Sequence, residues 1–196
     1  MAHGAGAASD SEFMNVMAQL LAEQGICVIR FNFGYMEQNK ADGKRRPPAR
    51  LPVLLDDYQA LINLFGRPCV IGGKSMGGRV ASMLMQGSEK ASEISPFVHG
   101  CVCLGYPFHP PGKPQNQRID HLQSLEKPLF IVQGTRDTLG SLEEVCEYSL
   151  ASGIEFLWLE DGNHDLKPRV KSGFTQQQHL QTAANRVADF IRRCLS

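Results

Sequence analysis

The run Cys69-Val70-Ile71-Gly72-Gly73-Lys74-Ser75-Met76-Gly77-Gly78-Arg79 constrains this chain more than any other segment. An apolar stretch ends in Gly-x-Ser-x-Gly and a helical pattern begins at once, which predicts a nucleophile elbow: a sharp strand-to-helix turn with a serine at its point. Gly73 and Gly77 remove the side chains that would collide in such a turn, and Ser75 Oγ is left exposed near a helix N-terminus. A serine hydroxyl is a weak nucleophile alone, so a base and an oxyanion site are required elsewhere. Gly73-Lys74-Ser75 also mimics the end of a phosphate-binding loop. That pattern needs a glycine five residues before Gly73, where this chain has Pro68, which has no N–H to offer a phosphate.

A serine hydrolase built on such an elbow presents its triad in the chain order Ser, acid, His. Pro128-Leu129-Phe130-Ile131-Val132-Gln133 reads as a buried strand that stops at Gly134-Thr135-Arg136-Asp137, placing Asp137 at its C-terminal edge as the acid. A second strand-like run, Ile154 to Leu159, leads into Glu160-Asp161-Gly162-Asn163-His164-Asp165, and His164 is the base. Asp137 has an alternative reading as a turn residue, with Asp161 or Asp165 as the orienting acid. His179 and His99 read as structural or solvated. His109 and His121 lie in or near the loop that begins Gly105-Tyr106-Pro107-Phe108 and could line a pocket, but both precede the acid.

The oxyanion hole needs two preorganised N–H donors. Met76, the residue after the nucleophile, supplies one, and the opening His3-Gly4-Ala5-Gly6 is assigned to supply the other through Ala5 N–H. No loop is long enough for a large lid. Gly34 to Arg50 and Tyr106 to Gln123 are the longest irregular stretches, so an open, shallow site is expected, rimmed by the substrate-binding residues Tyr35, Tyr106 and Phe108 together with Met76.

These segments, with Phe31-Asn32-Phe33, Gly105 to Lys113 and Asn163-His164-Asp165, occur in order over nearly the whole chain. The chain resembles the α/β-hydrolase fold, and more narrowly the group that pairs predicted bacterial hydrolases with the testis-expressed and NSL-complex-subunit proteins of animals. The resemblance implies a cytoplasmic, cofactor-free hydrolase. It also implies an alternative, a non-catalytic interaction module, because animal relatives include a chromatin-complex subunit. Similar proteins carry strands before the His-Gly loop, one lying between the strands read here at Ile26 to Phe33 and Cys69 to Gly72, whereas only Met1 and Ala2 precede His3. The expectation is therefore an upstream start; an intact mass of natural protein matching 196 residues would contradict it.

The 196 residues, 42% of them hydrophobic, fit one α/β domain with a mostly parallel central sheet, helices on both faces and N-terminal strands missing. Helices are expected from a capping box at Ser9-Asp10-Ser11-Glu12 to Gly25, and near Leu54 to Phe65, Met76 to Gln86, Leu142 to Ala151 and Gln176 to Cys194. Strands are expected at Ile26 to Phe33, Cys69 to Gly72, Val98 to Leu104, Leu129 to Gln133 and Ile154 to Leu159. Twenty Lys and Arg balance twenty Asp and Glu, so no electrostatic reason exists to expect nucleic acid or an anionic membrane as partner; Lys44-Arg45-Arg46 reads as a solvated loop. No signal peptide or long apolar span is visible. The six cysteines spell no metal site, and Cys27, Cys69, Cys101 and Cys103 read as small hydrophobes inside strands, reduced as in a cytoplasm. The expected ligand is a small acyl ester, thioester or amide, among which residue types alone do not choose.

Overall fold

In the computed structural model, described for residues 1–86 and 95–196, four parallel strands form one sheet in the order β1-β2-β3-β4. These are β1 (Cys69–Lys74), β2 (Val98–Leu104), β3 (Leu129–Gly134) and β4 (Ile154–Leu159). Alternation divides the strand residues between two cores. Cys101, Cys103, Leu129 and Ile131 pack with α3 (Leu51–Phe65) and α4 (Met76–Leu84), while Val102, Leu104, Phe130 and Val132 pack with α1 (Glu12–Glu23) and α6 (Gln176–Leu195). The sheet is thus covered on both faces, as its near-continuous apolar strands require.

Local chemistry explains most element ends. α3 stops at Gly66 and α2 (Gly34–Asp42) at Gly43, both in the left-handed conformation that glycine adopts without steric cost. Two capping boxes form, Ser141 with Glu144 at α5 (Leu142–Cys146) and Thr175 with Gln178 at α6. The box expected at Ser9 to Glu12 does not: α1 starts after Ser11, whose side chain makes no cap hydrogen bond. α2 falls within the stretch expected to be loop, and α5 ends at Cys146 rather than Ala151.

The strand expected at Ile26 to Phe33 is absent, because it has nothing to pair with. Only Ala2 lies beside it, bridging Phe31 on one side and Gly73 on the other, both in parallel sense. Ala2 N–H donates to Gly72 O at 2.8 Å, and Lys74 N–H donates to Ala2 O at 3.0 Å. Beyond that single residue, segment 26–29 and the edge of β1 face each other across an apolar cavity of about 340 Å³, at whose rim Ile29, Phe65 and Leu195 are exposed. The missing strand also corrects the reading of Cys27, which is exposed, and of Cys69, which is half-buried; Cys101 and Cys103 are buried as expected. No helix among the described residues is long and apolar enough to cross a membrane.

Candidate active site

Ser75 stands between β1 and α4 with φ 52° and ψ −117°, a backbone conformation that L-residues rarely adopt. The neighbouring glycines make it feasible. A Cβ at Gly73 would lie 2.5 Å from Ala2 O and 2.6 Å from Gly77 C, and one at Gly77 would lie 2.6 Å from His3 O. Any side chain there would push the elbow off the loop that precedes it. The strain is sustained by hydrogen bonds on both sides: Ser75 N–H donates to Leu104 O at 2.9 Å, and Arg79 N–H donates to Ser75 O at 3.0 Å.

β3 and β4 deliver the other two groups to the same edge. His164 Nε2 lies 2.8 Å from Ser75 Oγ, and its Nδ1 lies 2.8 Å from Asp137 Oδ2. A carboxylate accepts only, so Nδ1 carries the proton and the Nε2 lone pair faces the serine hydroxyl. Asp137 is wholly buried; it accepts from His164, from Gln133 Nε2 at 2.9 Å and from Leu139 N–H at 2.9 Å. Those donors replace the water it has lost. The rival acids are engaged elsewhere. Asp161 pairs with the Arg169 and Arg136 guanidiniums, and the Arg169 hydrogen bonds hold its carboxyl well below the usual range. Asp165 pairs with Lys74.

Gln133 is the group that sequence reasoning passed over. It is fully buried, and its amide oxygen accepts from Tyr106 N–H at 2.7 Å while its nitrogen reaches Tyr106 O, Asp137 Oδ2 and Gly140 O. Its signal was a lone amide at the end of an otherwise apolar strand.

Lys74, the variable residue before the nucleophile, is also buried. Its Nζ donates to His164 O at 2.8 Å and lies 3.2 Å from Asp165 Oδ1. Burial pulls its pKa down, and Asp165 pulls it back. It therefore ties the His164 loop to the strand that ends at Ser75. Lys74→Met is expected to lower kcat for an acyl ester by about 10²-fold, the order associated with a 1 Å misplacement of a reacting group. Steady-state kinetics with KM unchanged would bear this out, and an unaltered kcat would refute it.

The segment expected to complete an oxyanion hole is beside Ser75: a Cβ on Gly4 would sit 3.6 Å from Ser75 Cβ. His3, fully buried, fixes this loop, with Nδ1 2.6 Å from Gly4 O and Nε2 accepting from Phe33 N–H at 3.2 Å. Burial lowers its pKa, in keeping with the neutral ring those partners require. Among the described residues no hydrogen bond uses Ala5 N–H. Met76 N–H, at the first position of α4, has no intrahelical acceptor. A groove of about 470 Å³ lined by Ala5, Gly6, Met36 and the 43–48 loop lies along the far side of this segment.

The expected substrate rim needs correction. Tyr106 and Phe108 are fully buried, stacked edge-on at 4.7 Å, and the Tyr106 hydroxyl donates to Arg118 O at 2.8 Å. Gln133 draws the Tyr106 backbone inward, so these rings form the floor of the 106–121 loop rather than its lip. Tyr35 is buried too, and its hydroxyl donates to Ala5 O at 3.2 Å, which makes it a brace for the His-Gly loop. Met76 is half-exposed.

A second serine–histidine pair, Ser82 Oγ and His121 Nε2 at 2.9 Å, is buried in the core. The Ser82 hydroxyl donates to Arg79 O at 2.9 Å, so its proton is not offered to the ring, and no carboxylate meets His121 within salt-bridge distance among the described residues. Burial, with the Arg79 guanidinium nearby, pushes His121 down to about 4. Because the folded-state value lies below the ordinary 6.5, the neutral ring stabilises the fold above pH 6.5 and that contribution is lost as pH falls toward 4. The loss amounts to about 3 kcal/mol. Urea unfolding at pH 7 and pH 4.5 should show a smaller difference for His121→Gln than for wild type; equal differences would count against it. His179, on α6, is buried against Leu166 O at 3.0 Å; His109 is buried near Pro110 O and Glu144, and His99 is exposed.

Solved structures share this arrangement of chain. An α/β serine hydrolase homologue from Coxiella burnetii superposes with a TM-score of 0.67 at 16% identity, covering 94% of this chain and 82% of the other. Est1E from Butyrivibrio proteoclasticus has a TM-score of 0.67 at 14% identity, covering 99% and 86%. The esterase domain of a Rhodothermus marinus protein has a TM-score of 0.64 at 16% identity, covering 98% and 84%. At these identities the likeness is one of fold. The sequence itself matches the family model described as an alpha/beta hydrolase domain over residues 1–192, so the chain belongs to that family.

Proposed function

We propose that this protein is a serine hydrolase that transfers an acyl group to water. The carrying observation is the relay from Ser75 Oγ to His164 Nε2 and from His164 Nδ1 to Asp137 Oδ2, both links 2.8 Å long, beginning on a residue with φ 52°. His164 takes the serine proton as Oγ adds to the substrate carbonyl, then returns it to the leaving group; Asp137 holds the ring and stabilises its cation. Met76 and Ala5 N–H groups bind the developing oxyanion. Water, deprotonated by His164, then attacks the acyl-enzyme and frees Ser75. Positioned acid–base chemistry of this kind contributes roughly 10²- to 10⁴-fold.

Small acyl esters, thioesters or amides are the substrate class this reading supports, with no cofactor, metal, nucleic acid or membrane needed for the chemistry. The order and wording of the motifs favour the testis-expressed and NSL-complex-subunit-like group within the family, and a cytoplasmic setting. Stopped-flow hydrolysis of p-nitrophenyl acetate tests the reading: a burst equal to the enzyme concentration followed by slower turnover is expected, and progress at the buffer rate would contradict it.

A further inference from the structure

Arg79, on the first turn after the elbow, and Arg118, near it, meet no acid among the described residues. Arg79 is on the first turn of α4, four residues after Ser75, so the two share a helix face about 6 Å apart along the axis. The Arg79 charge is felt by Tyr106, Arg118 and His121, which places its guanidinium beside the loop that follows β2. The sheet-facing side of this helix is taken by Gly77, Gly78 and Ala81, which leaves the 106–121 loop side to Arg79. That loop brings Arg118, held by Arg118 N–H to Phe108 O at 2.7 Å and by the Tyr106 hydroxyl on its carbonyl.

Among the described residues neither guanidinium forms a salt bridge, while Arg30, Arg46, Arg136, Arg169, Arg192 and Arg193 all make hydrogen bonds to side chains or carbonyls. Arg79 Nε is buried with no hydrogen-bond partner. Burial and then the Arg79 charge lower the pKa of Arg118, which places two cations in each other's field. Asp120, the carboxylate that acts on His121, is exposed. Holding two like charges together without a counter-ion costs free energy that a ligand anion would recover. A guanidinium is a planar fork matched to an oxyanion.

We propose that Arg79 and Arg118 form a subsite for a carboxylate on the acyl portion of the substrate, so that the preferred substrates are half-esters of short dicarboxylic acids. This rests on the hydrolase reading above and narrows its substrate class. In a glutaryl group three methylenes separate the reacting carbonyl from the free carboxylate, which lets the acyl carbon meet Ser75 Oγ while the carboxylate extends along the first turn of α4.

The test compares mono-p-nitrophenyl glutarate with p-nitrophenyl butyrate, each corrected for its spontaneous hydrolysis. Wild type is expected to favour the anionic ester in kcat/KM by about tenfold or more, as one charge-assisted contact supplies. Arg79→Gln and Arg118→Gln should each collapse that ratio, and 0.5 M salt should reduce it. A wild type that cleaves the neutral ester equally well, or a ratio unmoved by both substitutions, overturns the subsite. If neither ester is cleaved, the hydrolase reading fails separately, and calorimetric titration of glutarate still decides the subsite: binding that both substitutions weaken supports it, and no binding refutes it.

Discussion

Ser75→Ala is expected to remove turnover while leaving the fold in place. Among the described residues the hydroxyl has one partner, His164 Nε2, and contributes to neither core cluster. Alanine keeps the backbone hydrogen bonds to Leu104 and from Arg79 that hold the strained elbow. Its methyl group occupies the position of Cβ, which already clears Gly4. Thermal unfolding should therefore shift by no more than a few degrees, the size of a change of about 1 kcal/mol. kcat for an acyl ester should fall by about 10⁴-fold or more, since loss of a triad nucleophile leaves only binding and oxyanion stabilisation. A variant that keeps more than a few per cent of wild-type activity would show that the nucleophile is another residue.

Asp137→Asn should be nearly as severe for a different reason. Asp137 is wholly buried and accepts three hydrogen bonds, from His164, Gln133 and Leu139. An amide presents an oxygen on one side and two N–H donors on the other. Gln133 Nε2 and His164 Nδ1 both address Oδ2, so an amide nitrogen placed there opposes two donors. Placed the other way, it opposes Leu139 N–H. In the first orientation His164 must carry its proton on Nε2, where it can no longer accept from Ser75. The expected loss is about 10⁴-fold in kcat. An unfolding free energy lowered by about 1 to 3 kcal/mol should accompany it, from a buried donor left without an acceptor. Near-normal activity would mean that another carboxylate orients the ring, and Asp161 and Asp165 are already bound to arginine and lysine partners.

The meeting of Ser75, His164 and Asp137 was legible because each residue is announced locally. A strand that ends in a turn must present the next residues at the sheet's carboxyl edge, so an elbow and two strand ends suffice to bring Ser75, Asp137 and His164 together. The glycines at 73 and 77 were legible for the same reason, since the close approach they permit belongs to the turn itself. Burial across the sheet was not. Tyr106 and Phe108 read as rim residues in a Pro-rich loop, but Gln133, one strand away, captures the Tyr106 backbone and turns both rings into core. Nothing near residue 106 in sequence reports that partner.

Ile26 to Phe33 shows the converse. Its β-branched and aromatic residues have the composition of a strand, yet strand character depends on a neighbour to pair with, and Ala2 alone supplies one. α2 went unread because Gly34 to Asp42 carries no apolar stripe; only Tyr35 and Met36 are buried. Lys74 was visible as a residue type, but its bond to a carbonyl ninety positions later could come only from the fold.

The most direct measurement is reaction of the purified protein with a fluorophosphonate probe, followed by peptide mass mapping. An activated serine next to a neutral imidazole should form a stoichiometric adduct on Ser75, absent in Ser75→Ala and strongly slowed in Asp137→Asn. An unmodified Ser75 peptide from folded protein, or an adduct on another serine, would contradict the claim that this relay is a catalytic centre.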